Sequence, residues 1–517
     1  MYFRLFLIVI LGFYLLSGCS KGYREYRKDN TIVIAVTSEP KRLNPIFLTD
    51  FVSYSISGLI FNGLTKFDKD MNVVGDLAES WDILNGGREI IFHLKKGILW
   101  HDGVELTSDD IVFTYKTLIS PMTESPLSSQ LGPIKDVRSI NKYKVSITYF
   151  EPYGSALESL MIGIVPKHVL QDKDINKTFF DDSPIGTGPY KLKEWIHGRR
   201  LSLEAFDNYH GGCPNIKNLI ISIIPDTSTQ LLELESGNID LMEISPLLFN
   251  RGLSSDFVKY RAGSFRYGFF GLNLEDKRFK DKRVRQAISY SIDKDSIIKS
   301  VLSGLGSRST GPYPPEAWYY STEARYYEYN PDKAIDLLSQ AGWRKGNDGI
   351  LRKDGDIMSF TILTNYESKE NIKIAQIIQS SLKTVGIKTN ILTLEWQTFR
   401  HNVISNHQFE AIVLSRAYLW DPDIFELWHS SKTKKGEWNF LSYKNKEVDR
   451  LLEKGRKSIN ISERRKIYKK LHELLAEDVP CIFLYNSDLI FTAHKRIKGI
   501  IPTPAGMFYG IEKWSIN

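Results

Sequence analysis

From Arg88 to Lys95 side-chain character alternates: Ile90, Phe92 and Leu94 fall on one face, Ile91, His93 and Lys95 on the other, and Gly97 ends the run. Period-two alternation with one apolar face specifies a strand buried on one side. A turn has to follow. His101-Asp102-Gly103 supplies it, because Asp bonds its own backbone and Gly accepts positive φ at no steric cost. Thr107 then stands three residues before Asp110 and just ahead of Ile111, Val112 and Phe113, a capping-box variant that opens a helix. The order strand, turn, capped helix commits this stretch to mixed α and β structure.

The same residues carry a resemblance. Ala78-Glu79-Ser80-Trp81, Phe92-His93-Leu94-Lys95-Lys96-Gly97 and Trp100-His101-Asp102-Gly103, with Thr107 and Asp109-Asp110-Ile111-Val112 behind them, are similar to the signature of the peptide/nickel class, family 5, of bacterial solute-binding proteins. Those are the extracytoplasmic receptors of ABC importers. Further echoes run through Ser38-Glu39-Pro40, Leu43-Asn44-Pro45, Pro184 to Leu192, Asn208 to Ile216 and Leu234 to Asp240. The resemblance implies an α/β fold of the periplasmic binding protein type II-like kind, a two-lobed clamshell with an additional inserted small domain. Lobe I is expected at 31–61, 184–271 and 486–517, the inserted domain II at 62–183, and lobe III at 272–485, with chain crossings near Gly186, Asn273 and Tyr485.

The N-terminus reads as an address. Arg4 precedes a mostly apolar run from Leu5 to Leu16, shorter than the roughly 20 residues a helix needs to span a bilayer. It suits the core of a signal peptide over 1–18. Leu16-Ser17-Gly18-Cys19 resembles the lipobox of bacterial lipoproteins, which implies lipidation of Cys19 and a tether over 19–30. The expected place is the periplasm or another extracytoplasmic face, with the lipid as membrane anchor.

A chain of 517 residues exceeds what one core usually organises, so two or three domains are expected. A net charge of +7 is small over that length, and no dense Lys/Arg block with interleaved aromatics occurs. Nucleic acid is therefore excluded as a partner, and a monomer is expected. With Cys19 lipidated, Cys213 and Cys481 remain, either as an oxidised pair or as two separate thiols.

Local signals place the remaining elements. Thr31 to Val36 is a β-branched run typical of a buried strand; Ser53 to Phe61 reads as a helix, and Lys144 to Tyr149 and Ile220 to Ile224 as strands. Tyr267 to Asn273 is an apolar strand, followed by a helix from Phe279 with Val284, Ile288 and Ile292 on its core face. Gly304 to Gly311 reads as a surface or hinge loop. Asn330 caps a helix with Pro331 at its first position and Gly342 at its end. Later helices are expected up to Val385-Gly386, at Lys446 to Lys457 and at Ser462 to Glu477, and a strand at Cys481 to Tyr485.

No catalytic, metal or cofactor motif emerges. His401 and His407 are six apart and do not share a helical face, His-Glu-x-x-His and Gly-x-Ser-x-Gly are absent, and Asp109-Asp110 sits at a helix start. Ligand contact is expected between Glu395 and Trp428. There Glu395 to Phe399 and Arg416 to Asp423 resemble the family's pocket-lining segment. Trp396, Tyr418 and Trp420 offer rigid apolar area, Arg416 can pair with a carboxylate in a bidentate fork, and Asn273 lies at a crossing. In peptide-binding members an acid three positions before the Asp-Pro pair meets the peptide amine. Tyr418 stands there, so either Asp421 or another acid takes over, or the ligand is not held by a free N-terminus.

The function implied is a non-enzymatic receptor, for oligopeptides first, that captures its ligand between two lobes by hinge closure and delivers it to a membrane permease. The alternatives are a nickel chelate, haem or an oligosaccharide in the same fold. An extracytoplasmic hydrolase and a signalling lipoprotein are the readings from other classes.

Overall fold

The computed structural model describes residues 30–131, 133–417 and 421–517. The expected signal peptide and Cys19 lie outside the described residues. By internal contacts the chain forms two compact units: one comprises residues up to Phe150, Leu157–Arg261 and Ile490–Asn517, the other Glu151–Ala156 and Ala262–Leu489. Two of the boundaries fall inside long strands, Phe257–Leu272 and Cys481–His494. Among the described residues no helix is long and apolar enough to cross a membrane.

The first unit is built on the strand Thr31–Val36, every residue of which but Val36 is buried. It runs parallel to Asn218–Ile223 on one side and to Leu241–Glu243 on the other, so its continuous apolar run suits a strand covered on both faces. Asn218–Ile223 continues antiparallel to Arg200–Ala205 and then Tyr190–Ile196. A buried ion pair locks the centre. Asp240 accepts from Val33 N at 3.0 Å and from Arg496 Nη2 at 2.6 Å, and Arg496 also donates to Thr31 O.

A second, antiparallel sheet of this unit orders Ala78–Leu84, Glu89–Leu94, Lys144–Tyr149 and Ile134–Asn141. Along Glu89–Leu94 burial alternates as the sequence predicts, with Ile90, Phe92 and Leu94 inside. Gly103 adopts φ +88° in the turn, and the helix Ser108–Ile119 carries a reciprocal capping box between Thr107 and Asp110. His101 does more than turn the chain. Its Nδ1 accepts from Gly186 N at 3.2 Å, so the proton sits on Nε2 and points to Gly188 O at 3.0 Å. Gly186 has to be glycine here, because a Cβ would collide with Ile60 O.

In the second unit Lys388–Leu394 lies parallel to Ser359–Asn365, which is parallel to Ala411–Ala417, itself antiparallel to the end of Phe257–Leu272. Helices Lys282–Ser291, Pro331–Gln340 and Lys369–Thr384 supply Val284, Ile288, Leu338, Ile374, Ile378 and Leu382 to its core. Asn330 caps as expected, accepting from Lys333 N at 3.0 Å, and Gly342 takes φ +92° beyond the helix end. The late helices are Lys446–Lys457 and Ile461–Asp478.

Three expectations are corrected. The helix after Phe279 begins at Lys282, because Asp281 accepts from Arg283 N and caps it, leaving the Phe279 ring as core. Asn273 lies just past the strand that ends at Leu272. Gly304 to Gly311 is not wholly loop: Gly306–Arg308 pairs antiparallel with Tyr485 to Ser487. Three residues are too few to show a period, and the pairing relies on Gly306, where a Cβ would stand 2.7 Å from Asn486 O.

Candidate functional site

Strand register builds the site. Ala411–Ala417 pairs with Phe257–Leu272 so that Arg416 stands opposite Tyr267 and Leu414 opposite Phe269. Cross-strand partners share a face, which brings one cation and two aromatic rings together. Chain beyond the strand closes them around a small recess with about 10 Å³ of free space, walled by Tyr267, Phe269, Arg416, Trp428, Trp438 and Phe440, with Cys481 also in the lining.

The rings support one another. Tyr267 stacks on Phe269 at 5.6 Å, and Trp428 contacts Tyr443 edge-on at 6.0 Å. The Arg416 guanidinium lies 4.9 Å over the Trp438 ring, and no carboxylate among the described residues pairs with it. Burial pushes the Cys481 thiol well up, so it stays protonated at neutral pH. Cys213 and Cys481 are both free thiols.

Of the expected site residues that are among the described ones, only Arg416 lines this recess. Trp396 opens the short helix Trp396–Arg400 and stacks on buried Phe399 at 5.9 Å. Asn273 closes a chain turn, donating to Phe409 O at 3.0 Å and accepting from Glu275 N at 3.1 Å. Tyr418 and Trp420 lie outside the described residues.

Asp421 is engaged elsewhere. Its carboxylate pairs with Arg464 at 2.7 Å, accepts from Ser155 Oγ at 2.6 Å and takes the Asp423 backbone N–H. Asp423 in turn pairs with Arg456 at 2.8 Å, and burial raises its carboxyl in spite of that cation.

Sequence reasoning did not nominate Tyr267, Phe269 or Trp438, and reached Trp428 only as the end of the region from Glu395. Tyr267 to Asn273 reads as an apolar strand, but nothing local pairs Tyr267 with Arg416, and Trp438 comes from a segment with no period. Among the described residues no group of three or more His, Cys, Asp or Glu side chains is placed to hold a metal ion.

Comparison with known proteins places the chain among relatives. The oligopeptide-binding protein AppA of Bacillus subtilis is 33% identical over 511 residues, spanning 96% of this chain and 94% of that one. Its structure in complex with a nonapeptide matches with a TM-score of 0.81 over 94% of this chain and 99% of the other. NikZ from Campylobacter jejuni, solved with Ni(L-His), is also 33% identical, with a TM-score of 0.83 over 94% of this chain and 99% of that one. The heme-binding protein A of Haemophilus influenzae is 27% identical over 524 residues, covering 94% of this chain and 92% of that protein. Residues 72–437 match the model of the bacterial extracellular solute-binding proteins, family 5 Middle, and on that match the chain belongs to this family of solute-binding proteins.

Proposed function

We propose that this chain is the extracytoplasmic receptor of an ABC importer, that it captures oligopeptides, and that it passes them unchanged to a membrane permease. The observation that carries the reading is the likeness to AppA, a relative with a nonapeptide in its structure, at 33% identity along nearly the whole of both chains. Lipid on Cys19 holds the receptor to the membrane, and lobes bounded as the sequence suggests close on the ligand. Arg416, Trp396, Tyr418 and Trp420 are the proposed ligand contacts. Asp421 and Asn273 already carry partners within the protein, so we assign them to holding the fold around the ligand.

Broad specificity follows from the physics of extended peptides, whose main-chain bonds are independent of side-chain identity. A second reading is supported by NikZ, equally identical to this chain and solved with Ni(L-His): a metal chelate that brings its own donor atoms. Native mass spectrometry of the purified protein separates the two. Short peptides of mixed sequence are the expected cargo, together with compaction in small-angle scattering when peptide is added. A single nickel-containing species at full occupancy overturns the peptide reading.

A further inference from the structure

We propose that Ser431 is an activated nucleophile that accepts an acyl group from a reactive ester, with His429 as its base and Glu453 as the residue that orients that base. The site lies within the second unit and is independent of which solute the receptor carries.

The first observation is a defined proton. The Ser431 backbone N–H donates to His429 Nδ1 at 3.1 Å, so in the neutral imidazole Nδ1 keeps its lone pair and the proton sits on Nε2. The Ser431 hydroxyl lies 2.7 Å from the same Nδ1, and since that atom accepts, the hydroxyl donates. On the far side of the ring Nε2–H faces Glu453 Oε1 at 3.3 Å, with Asp449 Oδ1 3.9 Å away. Hydroxyl, imidazole and carboxylate in that order form the arrangement that activates a serine.

The base is held and the nucleophile is open. Phe425 stacks on the imidazole at 4.0 Å, and His429 is only 9% exposed, whereas Ser431 is exposed to solvent. Capping alone does not account for the contact. His429 already caps the turn Ser430–Lys432 by accepting the Ser431 N–H, and the hydroxyl on the same nitrogen is surplus to that role.

The surroundings limit the chemistry. The N–H groups of Ser430, Ser431 and Lys432 donate to Asp449 Oδ1, His429 Nδ1 and His429 O, so none of the three is free for a developing oxyanion. An ester with a good leaving group reacts without that help, while a peptide bond does not, so cargo peptides stay intact. In the step, the Oγ–C bond to the acyl carbon forms and the proton passes from Oγ to Nδ1. The bond from that carbon to the leaving oxygen breaks, and the oxide departs with the electron pair.

The test treats the whole protein with 4-nitrophenyl acetate and maps acetylated serines by mass spectrometry, with exposed Ser462 as reference. Ser431 is expected to be acetylated at least about tenfold faster than Ser462. His429→Gln should lower the Ser431 rate by about a hundredfold. Glu453→Gln should lower it by about tenfold, less because Asp449 stands near the same nitrogen, and Glu453→Asp should restore part of the loss. Glu453 is 58% exposed, so its variants should keep the wild-type melting temperature. Acetylation of Ser431 no faster than of Ser462, or a Ser431 rate unchanged in Glu453→Gln and in His429→Gln, overturns the inference.

Discussion

The carboxylate of Asp421 lies 2.7 Å from the guanidinium of Arg464, and the two side chains are 9% and 3% exposed. Such a pair is nearly sealed from water, so each charge depends on the other. Removing one partner leaves a buried charge uncompensated, at about 3–5 kcal/mol, whereas replacing both by apolar groups of similar volume is far milder. Arg464→Met is expected to destabilise the 262–489 unit by about 4 kcal/mol, and Arg464→Met with Asp421→Leu to recover more than half of it. Hydrogen exchange in Ala411–Ala417 reads the difference, and a double variant no better than the single one contradicts it.

Acid should loosen the protein before carboxylates protonate. Burial pushes His101 down to about 4 and His472 down to about 3. His472 is held neutral between Ser321 N and Thr310 Oγ1. In the unfolded chain both take up a proton near the ordinary value of about 6.5. The unfolded state therefore binds more protons below that pH. Stability is whole above about 6.5 and falls as pH drops towards 4, by about 3 kcal/mol for His101 alone. Denaturant titrations across this window should show the slope, and His101→Gln should flatten it for the first unit.

Two glycines should respond in opposite senses. Gly186→Ala drives a methyl into Ile60 O and is expected to cost about 3 kcal/mol. Gly58 lies exposed within the helix Phe51–Ile60, with nothing near the place of a Cβ, so Gly58→Ala should stabilise by about 0.5–1 kcal/mol. Thermal unfolding of the two variants distinguishes them by the sign of the shift.

Arg285, buried in the helix Lys282–Ser291, spends its guanidinium on backbone. It donates to the carbonyls of Asp478, Val479, Phe279 and Lys280 at 2.7–3.1 Å. Asp478 and Val479 end the helix Ile461–Asp478, where terminal carbonyls run out of partners within the helix. Arg285→Met is expected to lose about 3 kcal/mol and to fray that terminus first, visible as faster amide exchange there than in the helix middle.

Where the physics is local, the sequence was readable. The strand at Glu89–Leu94, the Thr107–Asp110 box and the Asn330-Pro331 start each depend on residues within one or two turns. Lys446–Lys457 lies where the sequence places it, with Val448, Leu451 and Leu452 buried. The long strands were seen only where apolar residues are continuous. Tyr267 to Leu272 was legible in Phe257–Leu272, and Cys481 to Tyr485 in Cys481–His494, while the half-buried stretch before Tyr267 was not.

The recess was legible only through Arg416, since its other walls are assembled by register and by loops distant in sequence. Asp421 was nominated for its neighbours in the chain, and its pairing with Arg464 carries no local signal. The resemblance to a family supplied what periodicity could not, the class of protein, but not these contacts.

Glu151–Ala156 belongs to the second unit although the chain on both sides of it belongs to the first. The partner of Ser155, Asp421, is synthesised 266 residues after it, and Arg464 309 residues after it. A nascent chain therefore cannot seat this short insertion as it emerges. The second unit's last stitch must wait until nearly all of the polypeptide is available, and contacts that span so much sequence form slowly. Completion once the chain is whole, rather than stepwise assembly during synthesis, is what such a topology demands.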